Sequence, residues 1–243
     1  MLKMYQEEMI LRTSACDQYG AWKPDAILEC MQETAGVHSA LLGLGRDVMD
    51  SMGVCWILSR VKVQMLRVPH AFEKITVKTW PMPTRHLFFP RSHLFCDEKG
   101  EVIGCANSLW MVMDLTERRV VKNAFVEAHM PDNRDMKSAA GMPATVRALP
   151  DEKEISLYEP KFTDFDLNRH VNNTKYMEWC LNALGEKRLT DQCVQSFDIN
   201  YDAEILAGSQ VRLELCEKDG GFSFFGFAED KQRFAASGVL CKR

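Results

Sequence analysis

The stretch Thr163-Asp-Phe-Asp-Leu-Asn-Arg-His-Val-Asn-Asn-Thr-Lys-Tyr176 sets a carboxylate, a carboxamide and an imidazole at alternate positions, Asp166, Asn168 and His170. It then runs directly into a helix-start signal. An imidazole can take up a proton near neutrality. A carboxylate can serve as base or nucleophile, and a carboxamide can hold a carbonyl or a water. The start of a helix favours negative charge, so its backbone N–H groups could receive an oxyanion. The same positive end should keep His170 neutral, as a base must be. The set therefore suits attack on a carbonyl with stabilisation of the tetrahedral oxyanion. Taken alone, Asp166 would be a turn former before a helix, and a lone His170 would be structural. Their common spacing carries the catalytic reading. Asn172 and Asn173 read as caps, and Tyr176 as a core residue of the helix face.

The elements that must position these groups recur twice. A first helix should begin near Pro24-Asp25, a proline suited to the first helical position with an acid in the first turn. Its apolar residues Ile27, Leu28, Met31, Ala35, Leu41 and Leu42 recur at three- and four-residue steps. A second helix should begin at Asn172 or Asn173, with Tyr176, Met177, Cys180, Leu181 and Leu184 on one face. The stretch Val54–Met65 reads as a strand after the first helix, and Val194–Glu204 as its counterpart after the second. In the latter, Phe197, Ile199, Tyr201 and Ala203 alternate with polar residues. Hairpin signals stand at Asp97-Glu-Lys-Gly100 and Asp219-Gly-Gly221.

Residues 138–153, with Gly141, Pro143 and Pro150, show neither helical nor alternating period and read as a linker. The expected organisation is an α+β chain of two tandem hotdog domains, residues 1–137 and 154–243. Each would be an antiparallel sheet wrapped around one long helix, the pair arising by internal duplication. Aligning Asp17 with Asp166 puts Tyr19 opposite Asn168 and Ala21 opposite His170, so the first copy keeps the scaffold and lacks the chemistry.

A chain of 243 residues, 46% hydrophobic and 26% charged, has ample apolar content for a core. It has no run of about 18 apolar residues, so no membrane span is expected. Net charge is −4, with 18 basic against 17 acidic residues in 1–150 and 12 against 17 in 151–243. Such a balance does not suit nucleic-acid binding. The opening residues lack the apolar centre of a secretory signal. The nine cysteines include no Cys-x-x-Cys pair, which suits a reducing cytoplasm and small buried side chains. The six histidines are dispersed, so no metal is expected, nor any cofactor.

Asp166-x-Asn168-x-His170-Val171-Asn172-Asn173-x-x-Tyr176 resembles the active-site signature of the acyl-acyl carrier protein thioesterases, a double-hotdog family. Gln32-Glu-x-Ala35-x-x-His38, Thr79-Trp80-Pro81 with Arg85 and Arg91, and Tyr201-x-x-Glu204-x-x-x-Gly208 add to the likeness, which spans roughly residues 5–240. The resemblance, to a bacterial member, implies release of fatty acid from acyl carrier protein. It implies a catalytic set of Asp166, Asn168, His170 and Glu204, with Asp202 as an alternative acid. Plant members carry a cysteine directly after the acid, whereas this chain has Ile205, so a cysteine nucleophile there is excluded. An enzyme acting on CoA esters and a non-catalytic acyl-binding protein are the alternatives.

The resemblance also implies that the first repeat shapes an acyl pocket, with Trp22, Met31, Met49, Met52, Trp56, Phe88 and Phe89 as contributors. His38 reads as a helix-packing residue. An acidic carrier protein would dock on cations of the first half, among Arg60, Lys62, Arg67, Arg85, Arg91, Arg118, Arg119 and Lys122. Two fused repeats could pair within one chain, and a homodimer of such chains is also open.

Overall fold

The computed structural model describes all residues, Met1–Arg243. They divide into two compact units, Met1–Trp22 with Glu29–Pro143, and Lys23–Leu28 with Ala144–Arg243. In chain order the elements are β1 (Tyr5–Ile10), α1 (Pro24–Leu41), α2 (Arg46–Ser51), β2 (Val54–Met65), β3 (Lys74–Pro81), β4 (Phe89–Asp97), β5 (Val102–Asp114), β6 (Arg119–Val120) and α3 (Ala124–Ala128). The second series is β7 (Glu154–Tyr158), α4 (Lys175–Leu189), β8 (Gln192–Tyr201), β9 (Val211–Lys218), β10 (Gly221–Ala228) and β11 (Lys231–Lys242). Strand order is β1-β3-β4-β5-β2 in the first unit and β7-β9-β10-β11-β8 in the second. Every pairing within these two orders is antiparallel. Each unit thus repeats one topology, a hotdog with one long helix against a five-stranded sheet.

Strand patterning follows the period of two. In β3, Ile75, Val77 and Thr79 are fully buried, while Lys74, Thr76 and Lys78 between them are not. Helix α1 begins at Pro24 and ends where Gly43, at φ +76°, takes the left-handed turn that a side chain would resist. There Leu44 N–H donates to Ser39 C=O and Gly43 N–H to Ala40 C=O, both at 2.9 Å, closing the helix in a Schellman motif. The two expected hairpins are present, with Gly100 at φ +84° in one, and Asp219 (+50°) and Gly220 (+77°) in the other.

Residues 138–149 are tied down by side chains. Asn107 donates to Ser138 Oγ at 2.6 Å in the first unit. In the second, Val146 N–H donates to Asn200 Oδ1 at 2.8 Å and Leu149 N–H to Ser223 Oγ at 3.1 Å.

The first unit buries a polar cluster. Arg91 is 7% exposed, and its Nη1 donates to His38 Nδ1 at 3.1 Å and to Thr79 Oγ1 at 3.2 Å. An accepting Nδ1 leaves the His38 proton on Nε2, which meets Leu2 C=O at 3.1 Å. The expectation that Arg91 serves a docking surface is therefore corrected: its guanidinium is inside, held by helix and sheet. Burial and then the Arg91 charge push His38 down to about 4 and His93 to about 3. His93, also buried, donates through Nε2 to Met31 C=O at 3.2 Å, and its Nδ1 has no partner.

The second unit is filled by rings. Tyr176 lies parallel to Phe234, with centroids 4.2 Å apart and planes 3° from parallel, and Trp179 and Phe224 close around that pair. Phe234 is completely buried. A side chain at Gly226 would run into the Phe234 ring, so the strand opposite must be bare at that point.

Two outcomes follow from this packing. Truncation of Phe234 to alanine should cost about 3–5 kcal/mol, as for other buried aromatics, read from the denaturant midpoint. For the histidines, a folded pKa depressed below the unfolded value of 6.5 means the unfolded chain binds more protons between the two. Stability should hold above about pH 6.5 and fall as pH drops through that window toward about 4. His93→Gln should flatten the fall in thermal midpoint between pH 7 and 5. An unchanged slope would remove His93 as its source.

Candidate active site

The chain enters the site through a short 3₁₀ turn, Phe162–Asp164. A tight loop follows, closed by Asp166 N–H donating to His170 C=O at 2.9 Å and Arg169 N–H donating to Asp166 C=O at 3.0 Å. Asp166 holds its own loop: Oδ1 accepts Asn168 N–H at 2.8 Å, and Oδ2 accepts the Asn168 carboxamide at 3.4 Å. The turn requires φ +63° at Arg169. Helix α4 starts at Lys175, later than the expected Asn172 or Asn173, because Asn172 Oδ1 accepts both the N–H (3.0 Å) and O–H (3.1 Å) of Thr174. Those bonds make a turn before the helix.

A second segment comes up beside this loop. Val171 N–H donates to Ile205 C=O at 3.0 Å, and His170 and Leu206 form an antiparallel bridge. Across that link His170 Nε2 lies 3.4 Å from Glu204 Oε2, both side chains being about one-third exposed or less for the imidazole, at 27% and 35%. Asp202 points elsewhere, accepting Gln232 Nε2 at 2.7 Å. Of the two candidate acids, Glu204 is the one beside the imidazole. Asp166 and Glu204 both raise the Tyr176 phenol, after the larger effect of its burial, so the two carboxylates share one neighbourhood.

The strand expectation there needs correction. Strand β8 stops at Tyr201, so Ala203 and Glu204 lie past the ladder, and Ala203 is exposed where the alternation placed it inside. The cause is Arg233, whose carbonyl accepts both Asp202 N–H at 2.8 Å and Ala203 N–H at 3.1 Å. One carbonyl taking two successive donors ends the regular ladder. Arg233 was not among the expected site residues; it reads as an ordinary strand cation, with no spacing to mark it.

The first unit rebuilds the loop without the chemistry. Asp17 N–H donates to Ala21 C=O at 2.9 Å, Asp17 Oδ1 accepts Tyr19 N–H at 2.9 Å, and Gly20 sits at φ +83°. Trp22 N–H donates to Pro69 C=O at 3.0 Å, beside an Ala21–His70 bridge. By these bonds Tyr19 stands at the place of Asn168, Ala21 at that of His170 and Val68 at that of Glu204.

The cysteine of α4 and the position after Glu204 offer no nucleophile here. Cys180 on α4 is buried and its thiol is pushed far up, and Ile205 is 1% exposed.

Comparison with known proteins agrees with this construction. Residues 2–126 match the model of the acyl-ACP thioesterase N-terminal domain, and residues 147–231 that of the acyl-ACP thioesterase C-terminal domain. The chain belongs to the acyl-ACP thioesterase family. It is 28% identical over 198 residues to the chloroplastic palmitoyl-acyl carrier protein thioesterase of Cuphea hookeriana, covering 74% of this chain and 46% of that one. It is 26% identical over 227 residues to the chloroplastic oleoyl-acyl carrier protein thioesterase of Coriandrum sativum, covering 82% and 59%. The chain thus spans about half the length of these curated relatives. The solved acyl-ACP thioesterase from Bacteroides thetaiotaomicron superposes with a TM-score of 0.88 over 98% of both chains at 20% identity, a likeness of fold. No helix is long and apolar enough to cross a membrane.

Proposed function

We propose that this chain hydrolyses the thioester joining a fatty acyl group to acyl carrier protein, releasing the fatty acid and ending its elongation. The carrying observation is the 3.4 Å approach of His170 Nε2 to Glu204 Oε2, beside the Asp166–Asn168 loop. Family membership and the activities named for the plant relatives support the same reading.

In this mechanism Glu204 and His170 hold a water, and His170 takes its proton. The hydroxide adds to the acyl carbon, and the oxyanion is received by the Asn168 carboxamide, in the positive field at the start of α4. Collapse breaks the C–S bond, and the proton on His170 goes to the departing sulfur. A thiol with a pKa of about 8.5 leaves readily, so the site needs no strong general acid. Direct attack by Asp166 is disfavoured, because both its oxygens accept hydrogen bonds from Asn168. A carboxylate engaged in this way is a weaker nucleophile and a better anchor for the loop.

Thiol release from palmitoyl- and oleoyl-carrier substrates tests the assignment. His170→Ala should lower kcat/KM by about 10²–10⁴-fold, the usual worth of a general base, with the circular dichroism unchanged. Glu204→Gln should fall in the same range, and Asp202→Asn within about threefold of the parent. Full activity in His170→Ala would sink the base assignment, and equal losses at 202 and 204 would sink the choice between the acids. Comparing the carrier and CoA thioesters of one fatty acid settles the partner.

A further inference from the structure

The β10–β11 ladder pairs Gly226 with Phe234 and then Phe227 with Gln232, so Arg233 is an extra residue with no partner across the ladder. Such a bulge bends its strand and re-aims the side chain it carries. Here the carbonyl of Arg233 takes the N–H groups of Asp202 and Ala203. Its guanidinium, only 17% exposed, donates through Nη1 to Glu204 C=O at 3.4 Å, through Nε to Ala228 C=O at 3.3 Å and through Nη2 to Glu229 Oε2 at 3.0 Å. The segment carrying Glu204 is thus gripped by Arg233 from its backbone and from its side chain.

The first unit supplies the control. There β4–β5 pairs Phe95 with Gly104 and then Cys96 with Val102, leaving Ile103 as the extra residue. Its carbonyl accepts Leu66 N–H at 2.9 Å and Arg67 N–H at 3.1 Å, the same double acceptance. The bulge is therefore a feature of the scaffold, and a buried isoleucine serves it, Ile103 being 3% exposed. A guanidinium is present only in the unit that holds His170 and Glu204, at the residue that grips the Glu204 segment.

We propose that Arg233 is a positioning residue for hydrolysis: its side chain fixes the Asp202–Glu204 segment so that the Glu204 carboxylate meets His170. This rests on the catalytic reading of that pair. Chain folding needs the bulge, and catalysis needs the arginine. A displacement of about 1 Å in a reacting group can cost on the order of 100-fold in rate.

The test compares Arg233→Ile, which installs the residue of the other repeat, with Arg233→Lys and the parent in thiol release. The isoleucine variant should keep its thermal midpoint within a few degrees, lose about 10–100-fold in kcat and leave KM within about twofold. Lysine, with one donor group in place of a fork, should recover only part of that loss. Parental kcat in a folded Arg233→Ile overturns the proposal. Should that variant fail to fold, parental kcat in Arg233→Lys overturns it, and a loss of kcat at unchanged KM supports it. A parent inactive on every acyl thioester defeats the hydrolase reading instead. The positioning claim is then read from a crystal structure of Arg233→Ile, or of Arg233→Lys if that variant does not fold: Glu204 moved off His170 supports the claim, and Glu204 still within 3.5 Å overturns it.

Discussion

One backbone hydrogen bond, Val171 N–H to Ile205 C=O, underlies the site. His170 is the residue before the donor and Glu204 the residue before the acceptor. Fixing that bond fixes both side chains to within a rotamer of each other. A net hydrogen bond contributes only about 1 kcal/mol, so it cannot hold two loops unaided. Its geometry is enforced on one side by the Asp166 turn and on the other by the end of β8. The same bond joins Trp22 to Pro69 in the first unit, where Ala21 and Val68 occupy the places of His170 and Glu204. The tie is thus common to both repeats, and the second carries an imidazole and a carboxylate at the residues before its donor and acceptor.

Packing explains why α4 can present a stable start to that loop. Tyr176, two residues into the helix, is clamped against Phe234, and Phe234 is the neighbour of Arg233 on β11. The ring stack and the bulge therefore sit on consecutive residues, one facing the core and one gripping the Glu204 segment. Gly226 makes room for the ring on the strand opposite. Enlarging that position would push on Phe234 and, through it, on the bulge. Helix start, ring stack and carboxylate segment are in this way one mechanical unit.

Much of this was legible in the sequence where period and turn chemistry act locally. Pro24 marked the start of α1, and β2 was expected over its observed span, Val54–Met65. The Asp166-x-Asn168-x-His170 spacing marked the loop. What escaped was set by partners far along the chain. The alternation Phe197, Ile199, Tyr201, Ala203 predicts a strand through Glu204, yet Arg233 draws two successive amides to one carbonyl and ends it at Tyr201. A bulge on β11 leaves no trace in the residues of β8. Likewise Arg91 has the composition of a surface cation, and its burial depends on His38 of α1 and Thr79 of β3 meeting it. The turn joining β10 to β11 is made by Glu229 and Asp230, at φ +52° and +58°, with no glycine to signal it.

The contrast among histidines shows how placement decides chemical use. His38 and His93 are enclosed, and each bonds a backbone carbonyl through Nε2. Beside the buried Arg91 charge, their protonated forms would add a cation to a cluster that holds no carboxylate. These rings serve as neutral struts, because desolvation and a like charge both oppose proton uptake. His170 is partly open, and the group facing it is the Glu204 carboxylate, 3.4 Å away. A base must be able to carry charge for an instant within the reaction. In the proposed mechanism that part falls to His170, which of the three has solvent access and a facing carboxylate.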